Sequence, residues 1–480
     1  MKNSLFAFLV FVSFYSGAQT HVWGGIYSNT TWVKANSPYI VDSLLVVFPG
    51  VKLTIQPGVT VRFRQGVSME VRQSTLTLVG TANDSIFFTS DASSPQAGDW
   101  TGVYLNGGTL GPLVQYLDMR YSDQGFYRAP NSNVAAVTDL ATSAFRHNNF
   151  IYGFRDVSSS FFEYNGIALQ TPKSARNCIF TNNDAGIANA KGLTRDCIFR
   201  NNNSAIMGCD GITKKCVFFD NQIGISSLSK GLANPVVDSC VFKHNVVGLR
   251  RTSYATIKNN VIDSNEIGIM TNGSDHIEKN LIRYNNTGIN EVSDPDIGWR
   301  GSNSITDNMI LDNLIGLEII AHNDLISCNT ICSNSTYNLK YTGTSNTVLS
   351  FAAKNAWCSN DSSHIASTIH DGYDNVTAGL VSFTPLDLAG CAVTIGIPDD
   401  QAARPLAVYP NPSTREFNIR NVFRAGGEIR VSDMRGRVVY SAWFDGGGDI
   451  SFRLHEAPGV YICEVKGGSG ISRQKIVLTE

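Results

Sequence analysis

The chain is poor in charge and lacks the common catalytic motifs. Only 16% of its 480 residues are Asp, Glu, Lys or Arg, and its net charge is −2. Without a positive excess or a long basic run, the sequence offers no electrostatic basis for binding nucleic acid or an anionic membrane. It also contains no phosphate-binding loop, no HExxH motif and no nucleophile elbow, so none of these motifs assigns an enzymatic activity.

Long apolar runs are also lacking. The most apolar stretch lies at residues 5–15, preceded by Lys2 and followed by small residues at 16–18. This pattern predicts a secretory signal peptide at residues 1–18, too short to span a bilayer comfortably. Because no later segment reaches about 18 apolar residues, we expect an exported protein without a transmembrane span.

What the chain does have is a repeat. Ten asparagines recur at intervals of 17 to 28 residues, each preceded by Phe or Ile three positions earlier and by Ser, Cys or Asn five positions earlier. They are Asn148, Asn165, Asn183, Asn202, Asn221, Asn245, Asn265, Asn285, Asn313 and Asn334. The segments between them are short runs rich in Val, Ile and Phe, which is typical of strands. A period near 21 residues predicts one turn of a β-solenoid per repeat.

Strand alternation assigns the faces of each coil. Residues three and five positions before each asparagine are predicted to point inward, and those two and six positions before it to point outward. The asparagine itself is predicted to turn inward at a corner and to bond to the asparagines of neighbouring coils. A glycine that follows three or four positions later in most coils is expected to allow a bend.

One apolar column does not fit this scheme. Its residues, four positions before the asparagines, run from Phe161 to Met309 and fall on the outer face. They form either an exposed interaction stripe or a stripe that another part of the protein covers. We favour partial cover.

Cysteine positions argue against disulfides within the repeat. The cysteines that occupy one slot of successive coils are Cys178, Cys197, Cys216 and Cys240. Stacked strands place such residues about 4.8 Å apart with parallel side chains, whereas a disulfide needs converging Cβ atoms about 3.8 Å apart. We therefore predict buried, reduced thiols. The cysteines that cluster near the end of the repeat, and that could form one or two disulfides, are Cys328, Cys332, Cys358 and Cys391.

The opening coils have a different pattern, seen in LTIQPGVTVRF at 53–63, SIFFTS at 85–90 and GDW at 98–100. With the closing motifs around Trp357, His370 and Phe383, these segments resemble the family of right-handed parallel β-helix repeat proteins. The resemblance covers about residues 35–390 and implies an all-β solenoid over residues 19–396. It implies no activity, because such solenoids carry unrelated functions.

Composition changes at residues 397–404, which we interpret as a linker. Short strands over residues 405–480 predict a small, Ig-like β-sandwich. VYPNP at 408–412, VSDMRGRVV at 431–439, PGVY at 458–461 and KIVL at 475–478 resemble the type A sorting domain of the type IX secretion system. The resemblance implies Sec export, recognition of residues 405–480 by the type IX machinery and passage through the outer membrane. Cleavage in the linker, then release or surface attachment, would follow.

The first candidate for catalysis is a row of charged residues in the same outward slot of three successive coils, Lys243, Asp263 and Arg283. Carbohydrate-active β-helices stack acidic and basic residues in this way. The carboxylate serves in acid–base work or metal binding, and the basic residue takes a proton or stabilises developing charge. The alternative, which we favour, is a surface ladder of alternating charge.

The candidate for substrate binding is the longest repeat interval, 28 residues between Asn285 and Asn313. It predicts a projecting loop, and insertions in repeat proteins often lie on the binding face. Trp299 offers a ring that could stack on a sugar. The alternative, which we favour, is a plain loop whose Trp299 packs back on the coils. The residues predicted to bond to sugar hydroxyls are Asp294, Asp296 and Arg300.

These features favour an exported, cell-surface or secreted protein that binds glycan or another macromolecule, as an adhesin does. The main alternative is a polysaccharide lyase or glycoside hydrolase acting on an extracellular polysaccharide. A structural component of the surface layer is a third hypothesis. No metal site and no cofactor are predicted, except that calcium could serve a lyase.

Overall fold

A computed structural model describes residues 19–128, 138–151, 154–226, 234–293, 301–320, 323–344, 348–349, 352–386, 408–411, 413–419, 427–433, 438–444, 449–467 and 470–479. Within these ranges nearly all regular structure is β-strand, interrupted by a 3-10 helix at Lys34–Asn36 and a short α-helix near the end of the solenoid.

The strands follow one another at short intervals. The opening coils contain β1 (Thr20–Ile26), β2 (Thr30–Trp32), β3 (Tyr39–Val47), β4 (Lys52–Ile55), β5 (Thr60–Phe63), β6 (Ser68–Arg72), β7 (Thr75–Leu78), β8 (Ile86–Ser90), β9 (Gly102–Asn106), β10 (Thr109–Leu110), β11 (Leu113–Gln115), β12 (Leu117–Arg120) and β13 (Phe126–Tyr127). The coils of the asparagine repeat contain β14 (Thr138–Ala141), β15 (Ala144–Arg146), β16 (Phe154–Ser158), β17 (Phe161–Glu163), β18 (Ile167–Gln170), β19 (Ser174–Arg176), β20 (Ile179–Thr181), β21 (Ala185–Ala190), β22 (Leu193–Arg195), β23 (Ile198–Arg200), β24 (Ser204–Cys209), β25 (Ile212–Lys214), β26 (Val217–Phe219), β27 (Ile223–Ser226), β28 (Val236–Asp238), β29 (Val241–Lys243), β30 (Val247–Thr252), β31 (Thr256–Lys258), β32 (Val261–Asp263), β33 (Ile267–Thr271), β34 (His276–Glu278), β35 (Leu281–Arg283), β36 (Thr287–Glu291), β37 (Ser304–Thr306), β38 (Met309–Leu311), β39 (Ile315–Ile319), β40 (Leu325–Ser327), β41 (Thr330–Cys332) and β42 (Tyr337–Tyr341). The closing coils contain β43 (Val348–Leu349), α1 (Ser362–Ser367), β44 (Ile369–His370) and β45 (Leu380–Val381).

Parallel pairing stacks equivalent strands of successive coils into three long sheets. The first sheet contains strands from β1 to β41, the second from β11 to β40 and the third from β18 to β44. A regular coil passes through the second, first and third sheets in turn, as β19, β20 and β21 do. This arrangement confirms the parallel β-helix predicted from the sequence.

The asparagine column lies at the corner between the first and third sheets. Asn202, for example, donates through Nδ2 to Asn221 Oδ1 at 3.0 Å and to Phe180 O at 3.0 Å. Its own Oδ1 accepts from the backbone N and from Nδ2 of Asn183, both at 3.0 Å. The predicted ladder is confirmed, and its bonds between asparagine side chains all run in one direction, from each coil to the next.

A second ladder occupies the corner between the second and first sheets, in the slot five positions before the asparagines. In the later coils it consists of asparagines, and Asn260 donates to Asn280 Oδ1 at 3.0 Å. In earlier coils the slot holds the four cysteines of the repeat, which are buried and free, as predicted. Cys332 and Cys358 form a disulfide and Cys328 is disulfide-bonded as well, whereas Cys391 lies outside the described residues.

Phe and Ile side chains fill the coil interior in the slot three positions before the asparagines. Ring centroids from Phe162 to Phe242 follow one another at 4.5 to 4.9 Å in a stack of nearly parallel rings. Burying each ring stabilises the coil by about 2–3 kcal/mol. The stack therefore fixes the register of neighbouring coils as well as their stability.

Glycines near the start of the third-sheet strands face the next coil closely. A Cβ atom on Gly268 would lie 2.5 Å from the carbonyl oxygen of Gly288, and one on Gly288 would lie 2.6 Å from that of Gly316. Neither Gly268 nor Gly288 has a positive φ. The glycine is needed for close stacking of coils, and the expectation that it allows a bend was wrong.

The apolar column on the outer face of the first sheet is partly covered. Ile179 and Ile198 are only 3% and 5% exposed, whereas Val217, Val241 and Val261 are half-buried. The three valines show that neighbouring strands alone leave this position half-buried. Ile179 and Ile198 must therefore be covered by another part of the protein.

The C-terminal segment forms a separate sandwich of antiparallel sheets. Its strands are β46 (Val408–Tyr409), β47 (Glu416–Ile419), β48 (Gly427–Asp433), β49 (Val438–Phe444), β50 (Ile450–Arg453), β51 (Gly459–Gly467) and β52 (Gly470–Leu478). One sheet has the order β46-β47-β50 and the other β49-β48-β51-β52. A core that includes Phe417, Ile429 and Cys463 lies between them, which fits the predicted small sandwich.

Candidate functional site

The residues predicted for catalysis lie in one row on the outer face of the first sheet. Lys243 is paired in register with Asp263, and Asp263 with Arg283. Arg283 Nε lies 3.0 Å from Asp263 Oδ2, and Ser264 Oγ donates to Asp263 Oδ1 at 2.6 Å. Asp263 is only 6% exposed. This carboxylate is therefore poorly placed to take a proton from a bound polymer, and the row has the geometry of a charge ladder.

The predicted substrate-binding residues Asp294, Asp296, Trp299 and Arg300 lie outside the described residues. Their contacts with a sugar stay predictions. The chain enters their segment from Ser293, which lines a groove on the third sheet. The predicted binding loop thus begins at the edge of that groove.

The groove has a volume of about 470 Å³ and crosses several coils. Its described lining residues are Asn203, Gln222, Ile223, Val246, Val247, Arg250, Arg251, Met270, Val292 and Ser293. Arg250 and Met270 are paired in register, so they occupy the same outward slot of neighbouring strands. The lining combines two positive charges, two amides and an apolar surface.

Two adjacent arginines reach the groove because β30 carries an extra residue. Arg250 pairs with Met270 and Thr252 pairs with Thr271, so Arg251 has no counterpart in β33. Strict alternation would have sent one of two neighbouring side chains inward. The bulge instead leaves Leu249 buried inside and both arginines lining the outer groove.

The backbone at the bulge is unfavourable for arginine. Arg251 has a φ of 51°, in the left-handed region that costs a non-glycine residue on the order of 1 kcal/mol or more. At the corresponding position, earlier coils hold Thr171, Asn189 and Gly208, all with a positive φ, so this position accepts several residue types. Arginine at this position adds a second guanidinium group to the lining of the groove.

A buried polar network holds the bulge from beneath. Thr252 Oγ1 and Thr271 Oγ1 each donate to Asp275 Oδ2 at 2.6 Å, and Ala255 N donates to Asp275 Oδ1 at 2.8 Å. Burial raises the pKa of Asp275 to about 6, although these hydrogen bonds oppose the shift. Because Thr252 directly follows the arginine pair, the network fixes the backbone that presents it.

The same corner of the solenoid buries a pair of carboxyl groups. Asn303 Nδ2 donates to Glu291 Oε1 at 3.0 Å and to Asp324 Oδ2 at 3.1 Å. Burial, reinforced by the charge of Glu291, raises the pKa of Asp324 to about 7. Asp324 is therefore protonated in a substantial fraction of molecules at neutral pH, and neither Asp324 nor Glu291 lines the groove.

The chemistry of the groove suits binding. Guanidinium groups hold carboxylate or sulfate through paired N–H donors and stay charged at any physiological pH. The amides of Asn203 and Gln222 offer donors and acceptors to hydroxyl groups. Among the described lining residues there is no Asp, Glu, His, Lys, Cys or Tyr, and these are the side chains that usually transfer protons in catalysis.

The groove was not predicted from the sequence, although the sequence does show the adjacent arginines. Arg250 and Arg251 directly follow the Gly248-Leu249 pair. In a regular strand only one of them would face outward. The bulge that exposes both has no marker in a single sequence, because Arg251 is not a residue type that favours a positive φ.

Three family models match parts of the chain. A pectate-lyase like beta helix domain matches residues 24–110, a periplasmic copper-binding protein (NosD) matches 205–373, and a secretion system C-terminal sorting domain matches 407–479. The chain thus consists of β-helix repeats followed by a type IX sorting domain, which confirms the family resemblances seen in the sequence. The sorting domain indicates export to the cell surface or secretion and interaction with the type IX machinery.

Several solved structures are similar to the chain at low sequence identity. A mannuronic acid specific polysaccharide family 6 lyase from human gut microbiota is 11% identical, with 65% of this chain and 80% of that chain covered and a TM-score of 0.32. A periplasmic alginate epimerase is 11% identical, with 57% and 73% covered and a TM-score of 0.27. XylC in complex with xylose is 10% identical, with 86% and 68% covered and a TM-score of 0.23. At this level of similarity no substrate or activity is transferred.

No curated protein matches the chain. In the described part of the chain, no helix has both the length and the hydropathy to cross a membrane.

The copper-binding description of one matching family was tested against the side chains present. Copper in proteins is held by imidazole, thiolate or thioether groups that converge on one point. Among the described residues no group of three or more His, Cys, Asp or Glu could hold a metal ion. Within the matched segment Cys209, Cys216 and Cys240 are buried in the coil interior, and Cys332 is in a disulfide. The described residues therefore do not fit a copper site, and they offer no such group to calcium.

Proposed function

We propose that this is an exported binding protein whose solenoid holds an anionic polysaccharide in the groove around Arg250 and Arg251. The observation that carries the proposal is the bulge in β30, which places two adjacent guanidinium groups on one face. A uronate or sulfated chain supplies the repeated anionic groups that such a pair binds. The route is a signal peptide at residues 1–18, the Sec machinery, and then the type IX machinery acting on residues 405–480 at the outer membrane.

The electrostatic state of Arg250 supports an external anion. In the described part of the chain Arg250 has no carboxylate within ion-pair distance, whereas Arg283 is paired with Asp263 at 3.0 Å and Arg155 with Asp139 at 2.9 Å. A half-buried guanidinium without a protein counter-ion gains most from a bound carboxylate or sulfate.

Binding without cleavage is favoured by what surrounds the arginines. Arginine does not deprotonate in the physiological range, so it is a poor general base. The described groove residues supply no other group for proton transfer. The row formed by Lys243, Asp263 and Arg283 lies on the first sheet rather than in this groove, which lies on the third.

Titration of residues 19–480 with acidic and neutral polysaccharides tests the proposal. Alginate, polygalacturonate and a sulfated glycan should bind, and a neutral dextran should not. Binding should weaken as salt is raised, because exposed charges are screened. Arg250→Ala should weaken the affinity about tenfold or more, the usual scale for a hydrogen bond to a charged group.

Two further variants sharpen the test. Arg251→Asn introduces a residue that an earlier coil accepts at the bulge, so it should weaken binding without disturbing the fold. Arg176→Ala is the matched control, because Arg176 is an exposed arginine on the second sheet. Equal affinity of Arg250→Ala and the unmodified protein would refute the groove. Release of oligosaccharides would favour a lyase or hydrolase instead, and would direct mutagenesis to Lys243, Asp263 and Arg283.

A further inference from the structure

The covered stripe on the first sheet leads to a contact between the two parts of the chain. Arg200 lies in the outward slot of the coil that contains Ile198. Its Nη1 is 3.3 Å from Glu428 Oε1, and its guanidinium carbon is 5.0 Å from the ring centroid of Trp443. Glu428 and Trp443 belong to β48 and β49 of the sorting domain. The stripe is therefore most buried where the sorting domain lies against the solenoid.

The next coil continues the contact through an aromatic side chain. Phe219 occupies the same outward slot as Arg200. Lys466 Nζ lies 5.3 Å, and the guanidinium carbon of Arg430 5.9 Å, from the centroid of its ring. Both distances fall within the range of cation–π attraction. Burial lowers the pKa of Lys466, as expected for an amine removed from water.

The sorting-domain residues form one row across a single sheet. Glu428 is paired in register with Trp443 on one side and with Lys466 on the other. The adjacent β48 residue Ile429 points the other way, into the core of the sandwich. One outward row of the sandwich thus meets the outward slot of two neighbouring solenoid coils.

Charge complementarity makes this contact specific. The side chain of Glu428 is only 7% exposed and lies within 3.3 Å of both Arg200 and Arg430. A carboxylate buried this far is costly unless cations accompany it, and Arg200 is the cation that the solenoid supplies. On the solenoid side, Arg200 lies two residues after the buried Ile198, in the same short strand.

We propose that the sorting domain docks on the first sheet of its own solenoid, by placing the row Trp443, Glu428 and Lys466 on Arg200 and Phe219. In the uncleaved chain this docking shields an apolar and cationic patch of the solenoid. Separation of the two parts would expose the patch while leaving the groove on the third sheet unchanged. The proposal is independent of what the groove binds.

Amine labelling of residues 19–480 tests the docking. The substitution is made in the solenoid, and the labelling rate is measured at Lys466 in the sorting domain. In the unmodified protein Lys466 should react with an amine-reactive ester more slowly than the exposed Lys52, because its packing on Phe219 restricts access of the reagent, and this opposes the larger unprotonated fraction that its lowered pKa gives. Arg200→Glu should make Lys466 react about as fast as Lys52, since repulsion from Glu428 opposes docking. Peptide mass spectrometry measures both rates.

Two controls separate docking from unfolding. Arg176→Glu makes the same charge change on an exposed arginine of the second sheet, and should leave Lys466 protected. The double variant Arg200→Glu with Glu428→Arg restores opposite charges and should restore much of the protection. Fast labelling of Lys466 in the unmodified protein, or unchanged protection in Arg200→Glu, would overturn the proposal. Small-angle scattering should show a larger radius of gyration in Arg200→Glu, and an unchanged radius would count equally against docking.

Discussion

An asparagine side chain both donates and accepts hydrogen bonds, so it can bond to the coils on either side of its own. An ionised carboxylate can only accept hydrogen bonds. In the ladders Asn202 and Asn260 each donate to the coil that follows. At the third corner Asp275 and Asp324 take the place of an amide, and Thr252 and Thr271 or Asn303 supply the donors. Removing a carboxylate from water without a cation favours its protonated form. The third corner therefore makes the stability of the solenoid depend on pH.

We predict that the free energy of unfolding falls by about 2–4 kcal/mol as pH rises from 5 to 8. The pKa of Asp324 is about 7 in the folded chain against an ordinary 3.8, so the folded chain keeps a proton that the unfolded chain has released. Linkage then lowers stability as pH rises through 7, with little further change above it. Asp275, with a pKa of about 6, contributes in the same direction over a lower interval.

Urea unfolding at several pH values measures this slope. Glu291→Gln removes the charge that helps to raise the pKa of Asp324, and should flatten the dependence. Glu318→Gln is the control, because Glu318 is a carboxylate of the following coil that pairs with Lys340 at 2.7 Å. A slope that stayed the same in Glu291→Gln would show that the buried pair does not set the pH response.

At the scale of the strand, close stacking of coils depends on the residues that face the neighbouring backbone. We predict that Gly268→Ala destabilises the solenoid by about 1–3 kcal/mol, because its methyl group would meet the carbonyl oxygen of Gly288. Gly111→Ala is the control, since its nearest neighbour would be Thr77 Oγ1 at an ordinary 3.6 Å. Thermal unfolding of both variants measures the difference in stability. Equal melting temperatures of Gly268→Ala and Gly111→Ala would contradict a steric need for glycine at position 268.

Strands differ in how far the sequence predicts them. First-sheet strands have a fixed place relative to the asparagine, so alternation identified their inward residues. Third-sheet strands vary from β27, with four residues, to β21 and β30, with six. A residue at positive φ, such as Arg251, shifts which side chains of the strand point inward and which point outward. No residue type in the sequence marks this shift. The groove depends on that bulge, which is why strand patterning missed it.

At the scale of the whole molecule, the described residues form two separate hydrophobic cores. One includes residues from Trp32 to Val381, and the other residues from Val408 to Leu478. Local patterns predicted both cores, because each rests on strands close in sequence. The contact of Arg200 with Glu428 joins residues far apart in the sequence through exposed faces, and no local pattern marks such a pair.

We predict that deletion of residues 405–480 leaves the solenoid folded but held in the periplasm. The solenoid core contains no residue from the deleted segment, and that segment carries the sorting match. Fractionation of cells that express the deletion or the full chain measures the location, and protease resistance of the retained protein measures folding. Appearance of the deletion at the cell surface would refute the role of the segment in export.

The single direction of the asparagine ladder has a consequence for how such a protein changes length in evolution. Within the repeat, each asparagine side chain accepts from the asparagine of the coil before it and donates to that of the coil after it, as Asn245, Asn265 and Asn285 do at steps of 20 residues. Duplicating a segment of 20 residues between two of these asparagines would insert a coil that already matches both neighbours. The number of coils can therefore change readily during evolution. The terminal coils, which have a neighbour on one side only, need a sequence that differs from the repeat.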